Sequence, residues 1–218
     1  MADAREQTTG LAEEIATRLC EQVASGALRP GQRLFETKFA TEMEISRNTL
    51  REAFRLLTRD GVLRYEPNRG VFVAVPSMAS ILDIYRARRL IEVPALAQAW
   101  PRHEAVARMR LAVDHAERMA SVLDWRAVGS ANIEFHRAIV ALTDSPRLIA
   151  FFARLSVELR LAFGLLKHPA VLHEPYISLN RAIVQRIEDG DQKCAADLLE
   201  DYLAKSERMI MASFARLD

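Results

Sequence analysis

Residues 36–70 read ETKFATEMEISRNTLREAFRLLTRDGVLRYEPNRG, and the fold turns on this stretch. Ser46 is placed to N-cap a helix with its hydroxyl. Inside that helix Leu50, Ala53, Phe54 and Leu57 fall at i, i+3, i+4 and i+7, the buried stripe of an amphipathic helix. Arg47, Arg51, Arg55 and Arg59 recur every fourth residue on another face, and Arg47, Asn48 and Arg51 crowd the first turns. Those residue types suit base edges: arginine forks onto guanine or phosphate, and asparagine pairs with adenine. An ordinary surface helix with an exposed arginine face is the plainer alternative. Three neighbours argue against it. ETKFATEMEI reads as a short helix ending in a tight connection. Asp60-Gly61 is a helix stop. VLRYEPNRGVFVAV then gives two strand-like runs around Pro67-Asn68-Arg69-Gly70, a hairpin signal. Together these describe a winged helix-turn-helix, a DNA reader whose helix enters a major groove.

Working outward, the chain has 218 residues, half of them hydrophobic, enough for one or two cores. Its net charge of +1 does not point to nucleic acid. Between Ser46 and Gly70, however, arginines 47, 51, 55, 59, 64 and 69 face only Glu52, Asp60 and Glu66. Positive charge is placed rather than abundant, which fits a dimer at one defined site. Cys20 and Cys194 lie far apart in helical patterns and read as free thiols of a reducing cytoplasm. The charged start MADAREQ carries no secretory signal, and no apolar run reaches membrane-spanning length.

Residues 1–9 read as a loose tail. Leu11, Ile15, Leu19 and Val23 give a first helix ending near Gly26, Pro30-Gly31 is a turn, and Gln32-Arg33-Leu34 is a short strand for pairing with the wing. The ribbon is expected to end at Val75. The run LRPGQRLFETKFATEMEISRNTLREAFRLLTRDGVLRYEPNRGVFV resembles the DNA-binding domain of GntR-family bacterial transcriptional regulators. The resemblance implies that Arg47 and Arg51 read or clamp the operator and that Gly70 lets the wing tip approach the minor groove. Glu36, Thr37, Ser46, Asn48, Thr49, Asn68 and Arg69 complete the expected DNA-facing set. Thr37 stands where some members carry arginine, and Asn48-Thr49 replaces the commoner Thr-Pro pair, so base preference is expected to differ.

From Ser77 onward the pattern is helical, with expected helices over 77–100, 103–122, 125–142, 146–166, 173–189 and 191–214. The fold class is therefore mainly α: a winged helix-turn-helix with a small β ribbon over 1–76, then an antiparallel bundle of six helices over 77–218. Pro146 suits a first helical turn, and Pro94 is expected to kink its helix. Polar residues interrupt the apolar stripes: Arg88, Asn132 with His136 one turn on, Asn180 and Tyr202. Buried without partners, each costs about 1–3 kcal/mol. They are either satisfied core groups, Arg88 pairing with Glu92 one turn on, or they line a common pocket. His103, His115, His168 and His173 read as surface or helix-end residues.

GSANIEFHRAIVALTDSPRLIAFF and LNRAIVQRIEDGDQKCAADLLEDYL are similar to the FCD effector domain of FadR-type regulators, and six helices place it with the VanR-like branch. Many members hold a divalent metal through an aspartate and three histidines. Here those positions are Asn132, His136, Asn180 and Tyr202. One imidazole, two neutral amides and a phenol make a poor donor set, so the family metal is expected to be lost or weak, with no other cofactor. The resemblance implies a homodimeric, cytoplasmic repressor that binds a short inverted repeat in double-stranded DNA. A small effector, expected to be a carboxylate at Arg88, would bond Asn132, His136, Asn180 and Tyr202. No catalytic motif emerges. The rival from another class is a helical small-molecule-binding protein or enzyme with a vestigial winged domain.

Overall fold

The computed structural model describes residues 2–165 and 169–215, with side chains from residue 10 onward except 169, 171 and 172. The expectation for His168 lies outside the described residues. The chain divides into two compact units, Met1–Val75 and Pro76–Asp218.

In the first unit, α1 spans Ala2–Ala24. The loose tail expected at residues 1–9 is helical from Ala2. Ala-Asp-Ala-Arg-Glu-Gln are helix-compatible residues, with neither glycine nor proline before Gly10. α1 buries Ala12, Ile15, Leu19 and Val23, while Leu11 stays exposed. Next come β1 (Arg33–Leu34), α2 (Glu36–Glu42), α3 (Arg47–Arg59), β2 (Leu63–Glu66) and β3 (Gly70–Val73). The helix-turn-helix connection rests on Glu44 at φ 55, the left-handed conformation a tight turn requires. α3 starts as its sequence indicates: Ser46 Oγ accepts from Thr49 N at 3.1 Å. It buries Leu50, Ala53, Phe54 and Leu57 against α1 and β2. The strands form an antiparallel sheet in the order β1-β3-β2, with Arg33 opposite Phe72 and Glu66 opposite Gly70. β1 thus pairs with the wing as expected, and β3 ends two residues before the expected Val75.

The second unit is helical: α4 (Met78–Ala97), α5 (Glu104–Ser121), α6 (Trp125–Ala141), α7 (Pro146–Gly164), α8 (Pro169–Glu188) and α9 (Gln192–Phe214). Side chains cap four of these starts, Ser77, Asp124, Ser145 and Asp191 each accepting from the backbone three residues on. His103 caps α5 through Nδ1 and meets Asp144 at 3.2 Å, a helix-end role. Pro146 occupies the first turn of α7, and α4 runs on through Pro94 to Ala97. Ile81, Tyr85, Met109, Phe135, Ile139, Phe152, Ile183, Leu199 and Leu203 belong to one apolar core. Both cysteines are free.

Candidate functional site

Two sites emerge, one in each unit. In the first, Arg47, Asn48, Arg51 and Arg55 stand exposed along α3, and Ser46 and Thr37 are exposed beside them. Arg51 Nε donates to Glu36 Oε2 at 2.8 Å, so the first residue of α2 orients the arginine. Thr49, expected among the DNA-facing residues, is buried instead. It lies toward the Ala53 side of the helix, and its hydroxyl bonds Ser46 Oγ at 2.8 Å. At the hairpin tip Asn68 has φ 61 and Gly70 φ 104, the left-handed backbone that asparagine and glycine tolerate best. Arg64 and Arg69 both reach Glu66 at 2.5 Å, and the Arg69 guanidinium lies 5.6 Å from the Phe72 ring centre. A groove of about 560 Å³ between α3 and the hairpin is lined by Glu36, Arg51, Phe54, Arg55, Thr58, Tyr65 and Val71. Exposed guanidinium groups, a glycine at the tip and a groove beside them form a surface suited to a phosphate backbone and to base edges.

The second site is buried. Arg88, Asn132, His136, Asn180 and Tyr202 do converge, joined by Glu92, which the sequence marks only as a neighbour one turn from Arg88 and which is fully buried. Arg88 Nε donates to Glu92 Oε1 at 2.6 Å, and His136 Nδ1 meets Glu92 Oε2 at 2.5 Å. His136 Nε2 lies 2.9 Å from the Tyr202 hydroxyl, which is 3.1 Å from Asn132 Oδ1. Asn180 Nδ2 donates to that same oxygen at 2.8 Å. The network continues the stripe of α4, since Ile81, Ile84, Tyr85, Arg88 and Glu92 share one face. Tyr85 bonds Ser206 at 2.6 Å.

Charges balance inside this network. Burial works against the Glu92 carboxylate, yet the Arg88 guanidinium and then His136 hold it below the usual carboxylate range. Burial lowers the His136 imidazole further than Glu92 raises it, and Arg88 adds to the lowering, so the ring is neutral at pH 7. Its Nδ1–H then donates to Glu92, and Nε2 competes with Asn132 for the one proton of Tyr202. Burial raises the Tyr202 phenol and keeps it protonated. Arg88 is thus already engaged by Glu92. Three buried atoms have no hydrogen-bond partner among the described residues: Arg88 Nη2, Asn180 Oδ1 and the Tyr176 hydroxyl.

The family's metal does not suit these residues. Zinc sites draw on several histidine, cysteine or carboxylate ligands, and this set supplies one imidazole, two neutral amides and a phenol that burial keeps protonated. Asn132, His136, Asn180 and Tyr202 bond one another at 2.8–3.1 Å. Among the described residues no group of three or more His, Cys, Asp or Glu could hold a metal ion.

A second buried cluster adjoins this one. His173, expected at the surface or a helix end, is buried with its imidazole pushed down to about 4, by burial first and Arg160 second. It falls on the α8 face of Tyr176 and Asn180, a spacing that could have signalled burial. Arg160 and His173 close on Gly129 of α6, where an added Cβ would lie 2.6 Å from Arg160 Nη1 and His173 Nε2. Among the described residues no helix is long and apolar enough to cross a membrane.

Comparison with known proteins identifies both units. Residues 11–73 match the family described as bacterial regulatory proteins, gntR family, and residues 83–205 match the FCD domain. The Nta operon transcriptional regulator of Aminobacter aminovorans is 27% identical over 78% of this chain and 81% of its own. The galactonate operon transcriptional repressor of Escherichia coli (strain K12) is 25% identical over 90% of this chain and 86% of its own. The crystal structure of a GntR transcriptional regulator from Rhodococcus sp. RHA1 superposes with a TM-score of 0.88 at 34% identity, covering 93% of this chain and 98% of that one. The chain belongs to the GntR family of bacterial transcriptional regulators, with an FCD effector-binding domain following its DNA-binding domain, and is a regulator rather than an enzyme.

Proposed function

We propose that this regulator binds a short inverted repeat in double-stranded DNA as a homodimer, acts as a repressor, and has its DNA affinity changed by a small effector. Residues 1–76 serve as the DNA-binding domain and residues 77–218 as the effector and dimerisation domain. The observation that carries the reading is the exposed row Arg47, Asn48 and Arg51 at the capped start of α3. In this reading these three contact bases and phosphates, Glu36 orients Arg51, Thr37 and Ser46 flank them, and Asn68, Arg69 and Gly70 carry the wing tip to the minor groove. Two-fold symmetry of the protein then requires two-fold symmetry of the operator.

The effector reading is supported by Arg88 Nη2 and Asn180 Oδ1, a donor and an acceptor buried without partners. A small carboxylate carrying a hydroxyl would serve both, beside Asn132, His136 and Tyr202. One relative is named for a galactonate operon, and galactonate is such a molecule. Glu92 already offsets the Arg88 charge, so the carboxylate would act as a hydrogen-bond acceptor more than as a counter-ion.

A mobility-shift titration tests the DNA reading, comparing an inverted repeat selected by the protein from a random pool with a scrambled copy. Preference for the repeat that weakens steeply with salt is expected. Equal affinity for both would sink it. For the effector, thermal-shift screens of small carboxylates with and without chelator should find stabilisation independent of metal. A ligand at a hundred times its dissociation constant contributes about 2.7 kcal/mol. Stabilisation only with added metal would mean that Asn132, Asn180 or Tyr202 ligates after all.

A further inference from the structure

The outward face of the sheet in the winged unit gathers the guanidinium groups of Arg33, Arg64 and Arg69 around the single carboxylate of Glu66. Directly opposed residues of an antiparallel pair share a face. Arg33 on β1, Phe72 on β3 and Arg64 on β2 therefore stand in one row across the sheet. Their neighbours Leu34, Val71 and Val73 alternate to the other face and are buried. Arg33 and Arg64 are exposed, and Phe72 is half-buried between them. The third cation comes from the hairpin turn, where Arg69 lies over the Phe72 ring.

Glu66 pairs with both Arg64 and Arg69. Among the described residues Arg33 forms no ion pair. It is held in place all the same. Its guanidinium lies 5.0 Å from the Phe35 ring centre. From there it reaches the hairpin tip: a Cβ built on Gly70 would sit 3.6 Å from both Nε and Nη2 of Arg33. A guanidinium stacked on an aromatic face keeps its in-plane N–H groups for another partner. Phe35 is itself 54% exposed, so this stack fills no core. The wing tip thus presents a positioned cation with no carboxylate to displace, whereas Arg69 is shared with Glu66.

We propose that Arg33, a residue of β1 and not of the hairpin, supplies the wing's minor-groove contact and gives the operator a preference for A·T pairs where the wing lies. The proposal rests on the DNA reading and adds to it a specificity-determining residue, with Phe35 as the residue that positions it. A narrow A·T-rich minor groove concentrates negative potential and so favours an inserted arginine over one left outside on a phosphate. Gly70 places no side chain between the guanidinium and the groove, so the cation and the backbone of the tip approach together. The sequence hides this role because the contact is made across the sheet, from β1 to the start of β3.

Mobility-shift titrations of the full chain test it, on the inverted repeat selected from a random pool. The repeat is built twice, with the base pairs on both sides of each half-site set to A·T or to G·C. Melting is recorded for each variant; Arg33 is exposed, so no change of fold is expected. Wild type should prefer the A·T version. Arg33→Ala should lose about tenfold on it and less than about threefold on the G·C version. Arg33→Gln, which keeps a long side chain without the charge, should do the same. Phe35→Leu should shrink the preference with the charge retained, and Arg69→Ala should cost less than Arg33→Ala. Equal loss on both versions would make Arg33 a phosphate contact and overturn the groove assignment. A larger loss from Arg69→Ala would give the contact to the hairpin arginine and overturn it too. Wild-type behaviour from both Arg33 variants overturns the proposal and leaves the DNA reading intact. A wild-type chain that binds the repeat and its scrambled copy alike overturns the DNA reading and this proposal together.

Discussion

In the first unit Arg51 meets Glu36 at 2.8 Å with its side chain 58% exposed, whereas in the second unit Arg88 meets Glu92 at 2.6 Å with 1% exposed. The two pairs look alike in distance and differ in consequence. Water screens the first pair, which contributes about 0–1 kcal/mol and leaves the guanidinium able to exchange its carboxylate for a phosphate or a base. Desolvation makes the second pair conditional: its members are tolerable only together, and removing one strands the other. The surface pair keeps a cation available for DNA, while the buried pair holds α4, α6 and α9 in one arrangement through His136 and Tyr202.

The sharpest way to break this comparison is Glu92→Gln. It leaves Arg88 charged in the core and should cost about 3–5 kcal/mol by urea denaturation. A loss below about 1 kcal/mol would mean that Arg88 finds water or another partner. Acid should expose the same asymmetry. All five histidines lie beyond residue 100. With His173 lowered from 6.5 to about 4, the unfolded chain binds a proton that the folded chain refuses across that window. Its contribution is fully present above pH 6.5 and falls as pH drops toward 4, by up to about 3 kcal/mol. His136, also lowered, acts with the same sign, and Glu92, lowered as a carboxylate, loses its contribution below the ordinary carboxylate range. Melting between pH 7 and 4.5 should therefore fall, and His173→Gln should flatten the slope.

Arg51→Ala sharpens the contrast from the other side. It should cut operator affinity by about 1–3 kcal/mol while changing stability by less than about 1 kcal/mol, read by mobility shift and melting. A smaller change, about 1 kcal/mol of stability, is expected from Ser46→Ala, which removes the α3 cap. The smallest belongs to Arg55→Ala, where loss of the exposed pair with Glu52 should cost about 0.3–0.5 kcal/mol.

Legibility in the sequence divides along the same line. The winged unit is readable because its decisive signals are local. Ser46 caps the helix it precedes, Asp60-Gly61 stops it, and Asn68-Arg69-Gly70 turns the hairpin, each within a few residues. The helices of the second unit are readable from period and breaks for the same reason. Of the buried network, Arg88, Asn132, His136, Asn180 and Tyr202 are visible as polar interruptions of apolar stripes. Glu92 shows in the sequence only as a helical neighbour of Arg88, because its other decisive contact, His136, lies 44 residues away. His173 and Thr49 mislead for a related reason. Each sits at the edge of a stripe, where only the packing of a neighbouring element decides between core and solvent. The helix at residues 2–9 escapes notice because charged, unpatterned residues read equally as tail or helix.

Gly129 has a consequence for how this regulator can change. Three helices meet at the hydrogen where other residues carry a methyl group, since Arg160 arrives from α7 and His173 from α8. Alanine at position 129 is therefore not a neutral step on its own. In a saturation library screened for folded protein, it should survive chiefly alongside a shorter side chain at 160 or 173. The three positions are therefore coupled, and a change at 129 is expected to travel with a change at 160 or 173.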